Sequence, residues 1–298
     1  MTGTPAAGNI IRQMASVNPQ HPPRRYLVFI RAGSNSLHRR LLAEDPQRNW
    51  DCCVSWYSTP VEEQLAEYYC VGGDNKLEGY VSFRDQFKSL PPYRYLLLAD
   101  DDVRFEPGGI SRFFEICDRY KTYLAQPALR WRTHYNLNVT LANPACILRH
   151  VSYIEIMAPC LSAVAVDELI DTFAMSRSTW GVDWTWAGRS QGKRPIHIVD
   201  AVKVEHTKPM DKRDGAFYRK MQAMGIDPNE ELRAARERFP DFVGMRTESN
   251  GHIYREGIPR FLRKPAMSMF EHLKFIARQR KKIVRRLHRL KSSRNARL

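Results

Sequence analysis

The segment from Tyr93 to Phe105, YRYLLLADDDVRF, carries an unbroken apolar stretch, Tyr95 to Ala99, straight into three consecutive aspartates, Asp100, Asp101 and Asp102. A strand that is apolar at every position is covered on both faces, as in the middle of a mostly parallel sheet flanked by helices. Carboxylates at its C-terminal end lie on the edge where open α/β sheets bind their ligands. Side chains alternate along extended chain, so Asp100 and Asp102 are expected to point one way and Asp101 the other. Two like charges converging on one spot repel, and a divalent cation is the usual remedy. The competing reading is a polar loop after a strand, with Asp102 or a neighbour capping the next helix.

The remaining pattern fits such a sheet. Tyr26 to Ile30 reads as a first strand, followed by a polar loop at 31–36 and a helix near Leu37 to Glu44. Cys52 to Tyr57 reads as a second strand, and a helix around Tyr80 to Leu90 leads to Pro91-Pro92 and the aspartate strand. Beyond it the pattern predicts a helix over Ile110 to Tyr120, a short strand at Tyr123 to Ala125, a strand at Tyr153 to Met157 and a helix through Val164 to Phe173. This alternation predicts an α/β sandwich. Residues 1–23 are small, polar and aperiodic, and are expected to be disordered.

At 298 residues, 43% of them hydrophobic, the chain can bury one large core or one core with a small appendage. No apolar run approaches the ~18 residues of a membrane span, and no charged-then-apolar leader pattern opens the chain, so a cytoplasmic location is expected. The six cysteines form no CxxC pair and no zinc-spaced cluster, which predicts reduced, buried thiols.

The net charge of +15 is unevenly placed. Residues 260–298 hold 14 Lys and Arg against one acid, Glu271, leaving 33 basic against 31 acidic groups elsewhere. A nearly neutral body gives no extended basic groove for nucleic acid. In the tail, Leu273, Ile276, Ile283, Leu287 and Leu290 fall on one helical face among Lys and Arg. Such a basic amphipathic helix, over residues 268–298, suits the anionic inner face of a membrane. A solvated terminal helix, one packed on the body and one that binds nucleic acid are the alternatives.

Two later segments bear on chemistry. Trp180-Gly181-Val182-Asp183-Trp184 places a carboxylate among aromatics, where desolvation raises its pKa toward that of a general base. Alternatively, Asp183 simply occupies the first turn of a helix and complements its dipole. Ile196 to Val204 reads as strand around Asp200 and ends in Glu205-His206, which places a histidine where it can ligate a metal.

The order of apolar strand, D-x-D, W-G-x-D and a strand ending in histidine resembles the GT-A glycosyltransferases, including the β-1,4-galactosyltransferase type. Over residues 93–209 the chain is also similar to the plant and bacterial family labelled lysine-ketoglutarate reductase trans-splicing related. That similarity is carried by Tyr95 to Val103, Gln126-Pro127-Ala128-Leu129, Glu155-Ile156-Met157-Ala158-Pro159, Trp180 to Asp183 and Val204-Glu205-His206. No GxGxxG turn follows the first strand, so the label does not indicate a dinucleotide-binding reductase.

The resemblance implies a GT-A-like, Rossmann-like mixed and mostly parallel sheet sandwiched by helices, with a C-terminal helical extension. Together with the residue pattern on either side, it divides the chain into a catalytic domain at 24–210, a helical accessory region at 211–260 and the basic tail at 261–298. It further implies sugar transfer from a nucleotide-sugar donor to the hydroxyl of a glycan or glycolipid acceptor, in surface polysaccharide or glycolipid synthesis. Asp100, Asp102 and His206 would hold Mn²⁺ or Mg²⁺, and Asp183 would act as base in an inverting reaction. Arg31 and Lys76 are expected on the donor side, supported by Asp101; Glu155, Trp180 and Trp184 are expected on the acceptor side. Glu155 reads equally as a strand-end charge. The rivals are a non-catalytic nucleotide-sugar or glycan binding module of the same fold, and a metal-dependent nuclease, which would need more acidic ligands. Retention of Asp100/Asp102, Asp183 and His206 together favours the enzyme.

Overall fold

The computed structural model describes residues 16–17, 21–61, 63–209, 215–240 and 249–257. In chain order these form β1 (Ser16–Val17), β2 (Tyr26–Ala32), α1 (His38–Ala43), β3 (Trp50–Trp56), β4 (Tyr68–Val71), α2 (Lys76–Gln86), β5 (Tyr95–Asp100), β6 (Val103–Arg104) and α3 (Gly109–Tyr120). There follow β7 (Leu124–Leu129), β8 (Cys146–Val151), β9 (Cys160–Ser162), α4 (Ala163–Leu169), α5 (Val182–Ser190), β10 (Ile196–His206), α6 (Ala216–Ala223), α7 (Pro228–Arg238) and β11 (Ser249–Tyr254).

One sheet runs in the order β1-β4-β3-β2-β5-β9-β7-β10-β8-β11, with β6 paired to β10 off that path. Strands β4, β3, β2 and β5 are parallel neighbours. β9 lies antiparallel to both β5 and β7, so those two strands point the same way, and β10 continues parallel to β7. The sheet is therefore mixed and mostly parallel, with β5 in its interior as the apolar run demands.

Alternation along the strands builds two cores. Tyr95, Leu97 and Ala99 of β5 join Tyr26, Val28 and Ile30 of β2 and the α3 residues Ile110, Phe113 and Phe114 on one face. Leu96 and Leu98 join Leu27, Phe29, Leu77 and Phe83 of α2, Leu169 of α4 and Trp186 of α5 on the other. All six cysteines are free and buried, five of them in these two cores, as expected from their spacing.

Several elements depart from the sequence pattern. The expected strand at Tyr153 to Met157 is irregular chain, and the strand there lies earlier, at β8. Pro159 cannot donate to a ladder, and the Glu155 amide donates to the Gln126 side chain at 2.7 Å, while the Met157 and Pro159 carbonyls accept from Asp100 N and Leu98 N at 3.0 and 2.9 Å. Helix α2 starts at Lys76 rather than Tyr80, capped by Asn75, whose side chain accepts from Leu77 N and Glu78 N. β4, β6, β9 and β11 were not foreseen. β11 pairs with β8, so the region beyond residue 211 adds a strand to the sheet edge as well as two helices. Most of the N-terminal segment expected to be disordered, and the basic tail at 261–298, lie outside the described residues; Ser16–Val17 pairs with Tyr68 and Tyr69.

One irregularity positions the site. Between β7 and β10 the register shifts from Val199 opposite Pro127 to Lys203 opposite Ala128. Pro127 lacks the N–H that a regular ladder would use there. The bulged Asp200 is fully buried and paired with Arg149 at 2.7 Å, and it also accepts from Asn143 N at 2.6 Å. Pinned in this way, the second half of β10 turns toward β6, and His206 comes to lie opposite Val103.

Candidate active site

The site forms where β5 and β10 end. Strand β5 stops at Asp100, and Asp101 and Asp102 form a turn, so strict alternation applies only to the first aspartate. Asp100 continues the Leu96–Leu98 face toward α2. There the buried Lys76 ammonium lies 2.7 Å from Asp100 Oδ1 and also donates to the Met157 carbonyl at 3.0 Å. The surrounding protein strips water from Asp100 and raises its pKa, opposed by Lys76 and reinforced by Asp102 and Asp101. Because 41% of its side chain is still open to solvent, Asp100 keeps water as a partner beside the Lys76 ammonium.

Asp101 faces the other way. Its Oδ2 accepts from Gly33 N at 3.2 Å and from the Tyr57 hydroxyl at 2.8 Å, tying the loop after β2 and the end of β3 to the turn. A Cβ on Gly33 would run into the Tyr57 ring, so the loop needs glycine there for close approach. Asp101 thus supports the site from behind.

Asp102 is mostly buried and faces His206, with Oδ1 3.4 Å from Nε2. The geometry serves charge pairing but not a formed hydrogen bond, and Asp102 Oδ1 and His206 Nδ1 are both buried without a hydrogen-bond partner. Desolvation works to raise the Asp102 pKa, but His206 and Lys208 overcome it and hold the carboxyl below its ordinary value. His206 is correspondingly raised: burial disfavours its cation, yet Asp102, Asp100 and Glu155 together favour it more. The backbone of His206 is fixed by Thr133, whose Oγ1 accepts from its N–H at 2.7 Å.

Two further carboxyls complete the cluster. Asp183 lies in the first turn of α5, behind Gly181, whose φ of 86° only glycine adopts easily. It is 9% exposed, accepts the Tyr153 hydroxyl on Oδ2 and Trp184 N on Oδ1, and burial pushes its pKa up to about 6 despite those donors. Glu155 is 6% exposed, its Oε2 has no hydrogen-bond partner, and burial followed by the charge of Asp183 pushes it up to about 7.

The fold therefore gathers Asp100, Asp102, His206, Lys76, Glu155 and Asp183, drawn from sequence positions more than 100 residues apart, at one edge of the sheet. Arg31 stands opposite Asp100 in the β2–β5 register. Its guanidinium donates to Ser55 Oγ and to the Gly72 and Gly73 carbonyls, so it braces the loop leading into α2. Trp180 stacks on Phe217 of α6, with ring centroids 6.5 Å apart, and Trp184 packs partly buried against the core. Sequence reading passed over Lys208, Tyr153 and Gln126. Lys208 follows His206 by two residues and touches both Asp101 and Asp102; nothing in an isolated lysine signals this.

Among the described residues, one three-residue group, His21, Asp51 and Glu67, has ligand atoms all within 4.8 Å of one another. Arg24 bridges its two carboxylates and Arg48 adds a 2.6 Å contact to Glu67, so these charges are already neutralised by guanidinium groups.

No family model matches the chain, and no curated protein matches it. Among solved structures, it is similar to that of GalNAc-T7 with UDP, GalNAc and Mn²⁺, at a TM-score of 0.46 and 10% identity over 66% of this chain and 48% of that one. The chain thus spans about half the length of the protein it matches.

Proposed function

We propose that the chain is a cation-dependent glycosyltransferase of GT-A type that moves a sugar from a nucleoside diphosphate sugar to an acceptor hydroxyl with inversion. The observation that carries this reading is the cluster of buried, unpartnered acceptor and ligand atoms at the C-terminal sheet edge: Asp102 Oδ1, His206 Nδ1 and Glu155 Oε2. Buried polar atoms normally find partners, so unsatisfied ones gathered at a ligand-binding edge mark a place where a ligand completes the set.

The chemistry of the donor set suits a divalent cation: a carboxylate oxygen of Asp102 and the imidazole of His206 lie 3.4 Å apart, and Asp100, which does not come within 4.8 Å of both, would complete the set for Mn²⁺ or Mg²⁺ by a small movement. When bound, the cation supplies charge neutralisation for the leaving diphosphate. Lys76 is positioned to share that task from the buried side of Asp100. Asp101, Gly33 and Tyr57 hold the turn in place, and Arg31 shapes the adjoining loop on the donor side.

On the acceptor side, Asp183 takes the proton of the attacking hydroxyl. A carboxyl with its pKa raised to about 6 is a stronger base than an exposed aspartate and remains ionised at neutral pH. One direct displacement then inverts the anomeric centre through an oxocarbenium-like state. Glu155 orients the acceptor through its free oxygen, with Trp180 and Trp184 flanking. A second reading exchanges the two carboxyls: Glu155 is the base and Asp183 its buried neighbour. It is favoured by the unpartnered Oε2 of Glu155, since Asp183 already accepts from Tyr153 and Trp184.

A nucleotide-sugar panel with Mn²⁺, read by thermal shift and by release of nucleoside diphosphate, tests the reading. One donor class is expected to stabilise the protein only when the cation is present. If no donor does so, the proposed reaction is wrong.

A further inference from the structure

Two lysines face the aspartate turn, and they are attached very differently. Lys76 is 5% exposed and makes two short contacts, to Asp100 and to the Met157 carbonyl. Lys208 is 51% exposed, and its Nζ is divided between Asp101 Oδ1 at 3.4 Å and Asp102 Oδ2 at 3.5 Å. A buried ammonium with two good acceptors is fixed, because releasing it would strand charge in a poorly hydrated place. An exposed ammonium on a flexible stem, shared between two long contacts, is held weakly.

The position of the weak one matters. Lys208 lies against the same carboxyl whose other oxygen, Oδ1, has no hydrogen-bond partner and faces His206. A divalent cation accepted by Asp102 would bring two positive charges close to that ammonium and repel it. A displaced lysine has enough reach to find a new anion beside the cation.

We propose that Lys208 is an exchangeable counter-ion: it neutralises Asp101 and Asp102 while the cation is absent, and moves to the diphosphate of the donor when the cation takes its place. The proposal rests on reading the site as a nucleotide-sugar centre. Its signature is a pair of effects with opposite sign. Removing the ammonium removes a competitor for the free cation and a ligand for the diphosphate, so the first binding step strengthens and the second weakens.

Calorimetry with the full chain tests this, using MnCl₂ alone and then inorganic pyrophosphate in saturating Mn²⁺. Lys208→Met is expected to bind Mn²⁺ about threefold more tightly than the wild type and pyrophosphate about threefold or more weakly, the scale of one exposed charge pair. Lys208→Arg keeps the charge and should restore pyrophosphate affinity. A Lys208→Met protein that binds both ligands as the wild type does, or shifts both in the same direction, overturns the exchange while leaving the sugar-transfer reading intact. A wild type that binds Mn²⁺ and pyrophosphate but no nucleoside diphosphate sugar overturns that reading and limits Lys208 to inorganic diphosphate. A wild type that binds no Mn²⁺ overturns both. Because the side chain is half exposed, the substitution should leave the melting temperature nearly unchanged.

Discussion

Asp183 and Glu155 are buried carboxyls that influence each other's charge, and this makes their roles separable by substitution. Asp183→Asn is expected to leave Mn²⁺ and donor binding nearly intact while lowering transfer by about 10²-fold or more, the scale of general-base catalysis. If Glu155→Gln produces that loss and Asp183→Asn does not, the base is Glu155. Stability of the cation-free protein should also follow these groups. Glu155 is raised from 4.5 to about 7 and Asp183 from 3.8 to about 6, so the folded state favours their protonated forms. Their stabilising contribution is fully present below about pH 4 and is lost as pH rises toward 7, on the order of 3 kcal/mol for Glu155. Chemical denaturation between pH 4 and 7 should show Glu155→Gln flattening that slope; an unchanged slope would mean the carboxyl is hydrated in solution.

At the scale of elements, the site depends on a cap, a bulge and a helix from the accessory region. Asn75 caps α2 directly before Lys76 and also donates to the Ser176 and Arg177 carbonyls. Glu231 of α7 accepts from Ser176 Oγ, Arg177 N and Ser178 N, and so holds the loop that leads to Trp180 and Asp183. Asn75→Ala should cost about 1 kcal/mol in a denaturant melt. The bulge is the more costly feature to disturb. Replacing Arg149 with Met strands the fully buried Asp200 and should destabilise by about 3–5 kcal/mol, whereas replacing both partners with apolar residues should recover much of the loss.

These elements also show what was legible in the sequence. β2 and β5 were readable because burial on both faces favours continuous apolar runs, and β3 from the shorter Cys52–Val54 run between the buried Asp51 and Ser55. Asp100, Asp102, Asp183 and His206 were readable because polar groups stood at the ends of such runs or beside glycine. β9 has three residues and β6 two, too few for a period to show. Tyr153 to Met157 has strand composition, yet the Glu155 amide goes to the Gln126 side chain and the segment becomes the wall of the site. The contacts of Lys208 and Glu231 depend on chain brought together from distant positions, which no local pattern encodes.

At the scale of the whole molecule, a mixed sheet with two covered faces gathers the candidate site at one edge, and the body around it is nearly neutral. Among the described residues, no helix is long and apolar enough to cross a membrane. The basic segment at 268–298 lies outside those residues, and its proposed partner is an anionic lipid surface, which would bring the protein to a lipid-linked or surface-polysaccharide acceptor. Deleting 268–298 should abolish sedimentation with phosphatidylglycerol vesicles and spare transfer to a soluble acceptor; unchanged sedimentation would remove the membrane role. Free cation affinity should also rise with pH, since a ligating His206 must lose the proton that Asp102 and Asp100 help it keep.

The most direct measurement is equilibrium binding of nucleoside diphosphate sugars to the wild type and to Asp102→Asn, each with and without Mn²⁺. The proposed site predicts that one donor class binds the wild type only with the cation, and that Asp102→Asn weakens this by at least about tenfold. Donor binding that ignores Mn²⁺, or survives Asp102→Asn undiminished, would contradict a metal and donor centre at the aspartate turn.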